Sequence, residues 1–133
     1  MDKDKKTELL AQYKELLDGE MTQDTENLLE IIPALLRLQN DKGHQYGRSY
    51  CKMGDTSIYF NVARKYDRIE NIIRRALDNG VEKTLHGGDS STATETFLDT
   101  VSDLAVYSLM WAGYIRETHP DEWKRFLASN GLD

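Results

Sequence analysis

The sequence predicts an all-α protein folded as an antiparallel bundle of about four to five helices. Apolar residues recur at spacings of three and four along several long stretches, as on one face of a helix. Strand-like alternation between turns is hard to find, and the 133 residues include only two prolines. A chain of this length is typical of one domain, so we expect a single helical domain over residues 1–133.

The first two helices are predicted from their leucines. One runs from about Lys6 to Leu17, and Gly19 is well placed to end it. The second covers about Asp24 to Gln39. It contains Pro33, and an interior proline costs about 3 kcal/mol, so we expect a kink or a fresh start near Ile32.

The next segment, residues 40–55, is glycine-rich and holds aromatic and basic side chains, which favours a recognition loop. A third helix is predicted over about Thr56 to Asn79, with Gly80 suited to end it. Its apolar stripe consists of Val62, Ile69, Ile73 and Ala76, with Ile58 and Tyr66 at the edges.

A flexible loop is expected at residues 86–94, followed by two more helices. Thr92 and Glu95 form a capping-box pattern, so the fourth helix is predicted to run from Thr92 to about Glu117. A last short helix covers residues 119–129, with Pro120 in its first turn, where proline is tolerated.

Composition narrows the functional classes. The content of 39% hydrophobic and 30% charged residues is typical of a soluble protein, and no apolar run reaches the roughly 18 residues of a membrane span. No secretory signal is visible, so we expect a cytoplasmic protein without a membrane partner. A net charge of -6 would repel duplex nucleic acid, but a metal ion can bridge a small phosphorylated ligand to acids.

Glu95, Asp99 and Asp103 recur every four residues and form an acidic row on the fourth helix. Like charges at this spacing cost roughly 0.2 to 0.5 kcal/mol per pair, so the row needs an explanation. Helix capping explains Glu95, but Asp103 lies about three turns inside the helix. Three interpretations of Asp103 stay open: a functional acid site, an ion pair with Lys65, Arg68 or another basic residue, and an exposed face. The exposed face would lie opposite a core side formed by Phe97, Val101, Leu104, Ala105, Ser108 and Ala112.

Magnesium is the metal that suits such an acid site. Carboxylate oxygens are hard ligands, whereas the three histidines are dispersed and show no metal-ligand spacing. We therefore expect Mg²⁺ rather than zinc if the row binds a metal.

Three segments resemble, in order and spacing, the nucleotide modification associated domain 1 family of phages and bacteria. They are "HQYGRSY" at 44–50, "KYDRIENII" at 65–73 and "ETFLDTVSDLAVY" at 95–107. The matching residues are Lys42, Tyr46, Gly47, Lys65, Arg68, Asn71, Glu95, Asp99, Thr100, Asp103, Leu104 and Tyr107. The resemblance covers roughly residues 36–116 and leaves residues 1–30 as an N-terminal helical extension.

The family is similar to the all-α nucleoside triphosphate pyrophosphatases of the MazG type. This resemblance implies a MazG-like bundle, a (deoxy)nucleotide ligand, Mg²⁺ and a homo-oligomer, either a dimer or a tetramer. For a phage protein it implies the host cytoplasm. Glu95, Asp99 and Asp103 would be the metal ligands, with Asp99, Asp103 and Glu70 as the catalytic acids. The substrate would be held by Lys42, Tyr46, Lys65, Arg68, Asn71 and Tyr107.

Three functions follow as hypotheses. The first is Mg²⁺-dependent hydrolysis of a nucleoside triphosphate to its monophosphate and pyrophosphate, in phage or bacterial nucleotide metabolism. The second keeps the pocket without the chemistry and sequesters a nucleotide, including a host signalling nucleotide. The third is a structural helical protein whose acidic row forms ion pairs with basic residues of another subunit.

Overall fold

The computed structural model describes residues 2–17, 19–87 and 96–132. Within these ranges the chain forms six α-helices and one short 3₁₀ helix, and none of the described residues lies in a β-strand, which confirms the all-α prediction. The chain divides into two compact units, Met1–Gly47 and Arg48–Asp133. The single-domain organisation and the MazG-like arrangement stay predictions.

The first unit contains α1 (Lys3–Lys14) and α2 (Gln23–Tyr46), which contact each other. Asp2 caps α1 by accepting a hydrogen bond from the backbone N–H of Asp4, and α1 ends before the predicted Leu17. Thr22 caps α2 in the same way through the N–H of Thr25. The two helices are also joined by an exposed ion pair of 3.4 Å between Lys6 and Glu30.

The second helix corrects two predictions. It continues through Pro33, so no fresh helix starts near Ile32, and it extends seven residues past the predicted end at Gln39. Residues 40–46, predicted to be part of a recognition loop, are therefore helical. The irregular segment shrinks to residues 47–54, which include the 3₁₀ helix Ser49–Cys51. Proline lacks only one backbone donor, and the surrounding leucine-rich turns keep the helix intact.

The second unit contains α3 (Asp55–Asn79), α4 (Val81–Leu85), α5 (Phe97–Thr118) and α6 (Pro120–Ser129). The predicted bounds of α3 and α6 are confirmed to within one residue, whereas α4 was not predicted. Gly80 follows α3 with a φ of 100°, a backbone conformation that favours glycine. None of the helices in the described ranges combines the length and the apolarity that crossing a membrane requires.

The helices α3 and α5 pack against each other in antiparallel directions. Near the start of α3, the carboxylate Oδ1 of Asp55 accepts a hydrogen bond of 2.7 Å from the indole Nε1 of Trp111, late in α5. Further along α3, Lys65 contacts Asp103, which lies earlier in α5. Residue numbers thus rise on one helix as they fall on the other. This register fixes which side chains of the two helices lie opposite each other.

The predicted core side of α5 is wrong. The residues that α5 buries are Thr100, Asp103 and Val106, on the face of the acidic row. Val101, Ser108 and Ala112, predicted to face the core, are exposed. Because the second half of α5 is apolar on nearly every side, the apolar pattern did not distinguish its faces. On α3 the fully buried residues are Ile58 and Ala76, and α3 packs against α5 in this unit.

Candidate nucleotide-binding site

A cavity of about 740 Å³ lies between α3, α4 and α5. Its volume falls within the range of about 300 to 1,000 Å³ that is usual for small-molecule sites. The helix α3 supplies most of the lining, namely Arg64, Asp67, Arg68, Asn71, Ile72, Arg75 and Asn79. The other side is formed by Thr84 of α4 and by Thr96, Phe97 and Thr100 at the start of α5.

The α3 wall is cationic because of its helical spacing. At about 100° per residue, Arg64, Arg68, Asn71 and Arg75 fall within an arc of about 60° on one side of α3. In the described part of the lining, three guanidinium groups face the cavity against the single carboxylate of Asp67. A protein with a net charge of -6 therefore concentrates positive charge at this cavity, which favours an anionic ligand.

Two of these arginines are well suited to recognise phosphate. The guanidinium of Arg64 donates a 3.1 Å hydrogen bond to the amide oxygen of Asn61. Among the described residues, no carboxylate lies within ion-pair distance of Arg64 or of Arg75. A planar guanidinium offers five N–H donors in a fork that matches phosphate oxygens.

The start of α5 forms the polar wall opposite these arginines. Thr96 is the N-cap, and its hydroxyl accepts from the backbone N–H of Asp99 at 3.1 Å. In return the Asp99 carboxylate accepts from the backbone N–H of Thr96 at 2.8 Å, which completes a capping box. The observed box thus uses Thr96 and Asp99, one turn after the predicted pair. Thr92 and Glu95 lie outside the described residues.

Capping defines the local role of Asp99, which the sequence assigned to metal binding and catalysis. Its Oδ2 atom also accepts from the Thr96 hydroxyl at 2.9 Å. A carboxylate at this position is favoured by the positive end of the helix macrodipole. Asp99 therefore has a structural explanation that needs no metal ion.

Asp103 lies in the interface between α3 and α5 and contacts a basic side chain there. Its Oδ2 atom lies 3.2 Å from the Lys65 Nζ, and the two side chains are only 11% and 17% exposed. The ion-pair interpretation of Asp103 is confirmed, and the exposed-face interpretation is wrong. Lys65, expected to hold phosphate, is turned toward α5 and does not line the cavity.

The remaining predicted residues lie on α2, α3 and α5. Glu70 binds the exposed Arg74 one turn along α3, at 2.6 Å. Tyr107 is half-buried on α5 outside the cavity lining. Lys42 is half-buried and Tyr46 is exposed near the end of α2, in the first compact unit. Of the predicted substrate-binding residues, the cavity brings together Arg68 and Asn71.

A magnesium site would need several acids placed to share the ion. In residues 2–17, 19–87 and 96–132, no group of three or more His, Cys, Asp or Glu side chains is placed to share a metal ion. Asp99 is part of the capping box, while Asp103 contacts Lys65 and Glu70 contacts Arg74. The described residues do not fit a magnesium cage, so we derive no catalytic step through the metal.

Comparison with known proteins gives a phage relative. The chain is similar to the Gene 30 protein of Bacillus phage SP01. The two are 28% identical over 118 residues, which cover 80% of this chain and 52% of the phage protein. The chain thus spans about half the length of this relative. No protein-family model and no solved structure matches the chain.

Arg64, Arg75 and Phe97 were missed as site residues by the sequence reasoning. The arginines carried a readable signal, because residues 64, 68, 71 and 75 share one stripe of α3 that is separate from its apolar stripe. Phe97 carried none, because its place in the cavity depends on where α5 begins. The T-shaped contact of its ring with His86, with centroids 6.3 Å apart, is also a tertiary feature.

Proposed function

We propose that this protein binds a nucleotide in the cavity between α3, α4 and α5. The observation that carries the proposal is the row of Arg64, Arg68 and Arg75 along one wall of a cavity large enough for a nucleotide. Phosphate oxygens are the usual partners of such an arginine row. The sequestering function thus receives more support from the geometry than hydrolysis does.

The chemistry of the lining assigns a role to each wall. Arg64 and Arg68, one turn apart, would donate hydrogen bonds to phosphate oxygens. Phe97 and Ile72 supply an apolar surface against which a base can stack. The Asn71 amide both donates and accepts, as the edge of a base requires. Thr96 and Thr100 contribute hydroxyls suited to a sugar.

Mg²⁺-dependent pyrophosphohydrolysis is the second candidate. It rests on the resemblance and on one observation: Lys65 and Asp103, which belong to different motifs, contact each other between α3 and α5. Thr100, one turn before Asp103, lines the cavity. Hydrolysis would require Asp99, Asp103 and Glu70 to exchange their present partners for a metal.

The test is a thermal-shift screen of nucleoside mono-, di- and triphosphates with and without Mg²⁺, run beside a pyrophosphate-release assay. A ligand that binds only the native state raises the melting temperature. We expect stabilisation by at least one nucleotide, which Arg68→Gln weakens and Arg74→Gln leaves unchanged. Arg74 is a matched control because it lies on α3 outside the cavity lining. Absence of any shift would contradict the proposal, and pyrophosphate release would favour hydrolysis.

We also retain the homo-oligomer as a proposal. Large apolar side chains of α5 and of α6 are exposed, including Leu98, Leu109 and Phe126. Exposed apolar surface of this kind is commonly covered by another protein surface. Light scattering of the purified chain should give a mass of two or four copies, and a monomer at micromolar concentration would contradict the proposal.

A further inference from the structure

We propose that the cavity contains two cationic subsites and takes a nucleoside with phosphate groups at two separate positions. The chemical class is a nucleoside 3′,5′-bisphosphate, as opposed to a nucleotide whose phosphates form a single chain. This inference rests on the proposed function, because it concerns the same cavity. It follows from the spacing of the three arginines and from what lies between them.

The arginines divide into a pair and a single residue. Arg68 lies four positions after Arg64, which is about 6 Å along the helix axis. Arg75 lies seven positions after Arg68, or about 10 Å. A phosphate group held by the pair therefore lies about two helical turns from the backbone position of Arg75. Arg75 forms a second subsite together with Asn79 and Thr84 at the α4 end of the cavity.

Among the described lining residues, those between the two subsites are uncharged. The register set by the Asp55–Trp111 and Lys65–Asp103 contacts places the start of α5 opposite the middle of the arginine row. Asn71 and Ile72 of α3 and Phe97 of α5 line the cavity there. An aromatic ring, an aliphatic side chain and an amide are groups that a nucleobase contacts.

The order of the described lining residues thus runs from cationic through neutral to cationic. A nucleoside 3′,5′-bisphosphate repeats this order, because its two phosphates flank an uncharged sugar that carries the base. A single phosphate chain at the 5′ position would occupy the Arg64 and Arg68 subsite and leave Arg75 without a phosphate. Arg75 is therefore the residue that would distinguish the two classes of ligand.

The decisive experiment compares two ligands with the same number of phosphates by calorimetry. The probes are the 3′,5′-bisphosphates and the 5′-diphosphates of adenosine, guanosine, cytidine and uridine. For at least one base we expect the bisphosphate to bind roughly tenfold tighter or better, as one further charge-assisted contact allows. In Arg75→Gln this preference should disappear through a loss of bisphosphate affinity, while Arg74→Gln should keep it.

Failure of the inference differs from failure of the proposed function. If the 5′-diphosphates bind at least as tightly as the bisphosphates, the cavity has one phosphate subsite and the inference is wrong, although nucleotide binding stands. The same conclusion follows if Arg75→Gln weakens both ligands equally. If neither class binds the wild-type protein, both proposals fail. Circular dichroism of each variant checks that α3 stays folded.

Discussion

The Lys65 amine of α3 lies 3.2 Å from the Asp103 carboxylate of α5, and both side chains are largely buried. This contact joins two helices that bury few apolar side chains. In the described chain the buried apolar residues are Ile58, Ala76 and Val106. A buried charge that loses its partner costs more than a lost surface pair, because its desolvation is no longer offset.

The first prediction concerns this ion pair. Replacement of Asp103 by Asn should lower the free energy of unfolding by about 3 kcal/mol, since it leaves the Lys65 charge buried. The double variant Lys65→Met with Asp103→Leu should recover most of that loss, because neither charge remains. Urea denaturation of the single and double variants measures both values. Additive destabilisation in the double variant would show that the two residues do not interact.

The second prediction concerns the capping box of α5. Replacement of Thr96 by Ala should cost about 1 kcal/mol, because the N–H of Asp99 loses its acceptor. Replacement of Asp99 by Ala should cost a similar amount, and the double variant less than the sum, because the two residues form one reciprocal box.

Magnesium distinguishes this capping role from metal binding by Asp99. If Asp99 acts as a cap, Mg²⁺ should change the stability of the wild type and of Asp99→Ala by the same amount. A stabilisation by Mg²⁺ that disappears in Asp99→Ala would instead identify Asp99 as a metal ligand and support the hydrolytic candidate.

The third prediction concerns Gly54, which precedes α3. Its φ of 68° with ψ of -145° is a conformation that side chains avoid, and an added Cβ would meet the Tyr114 hydroxyl at 3.1 Å. Gly54→Ala should therefore destabilise the protein by about 1 to 3 kcal/mol.

A matched control is available at Gly113, which lies inside α5 where an added Cβ would meet no atom within 4 Å. Gly113→Ala should stabilise the protein by up to about 1 kcal/mol, because alanine favours the helix. Thermal denaturation of both variants gives the comparison, and equal effects of the two substitutions would refute the assignment of strain to Gly54.

Local sequence signals predicted the helices where those signals were unambiguous. Gly80 ends α3 and Pro120 begins α6 as expected, since both depend only on the residue's own backbone. Of the two outcomes expected at Pro33, a kink or a fresh start, the fresh start is wrong, because neighbouring turns keep the helix continuous. Local reasoning also placed the start of α5 one turn too early, because Thr92 and Thr96 both have an acid three residues later.

The site was harder to predict because it depends on which faces meet. The sequence of a helix that is apolar on nearly every side does not show which face packs against its neighbour. In α5 the contact between Asp103 and Lys65 identifies the face that packs against α3. Lys65 contacts Asp103 and does not line the cavity, whereas Arg68 and Asn71 do. Arg64 and Arg75 share their stripe, and a helical projection of α3 identifies them without the tertiary structure.

The most direct measurement of nucleotide binding in this cavity is a calorimetric dissociation constant for the strongest nucleotide in the screen. It should be measured with the wild type, Arg68→Gln and Arg74→Gln at equal salt concentration. Loss of one charge-assisted contact should weaken binding to Arg68→Gln roughly tenfold or more, while Arg74→Gln keeps the wild-type affinity. Equal affinity of all three proteins would place the nucleotide elsewhere and contradict the assignment of this cavity.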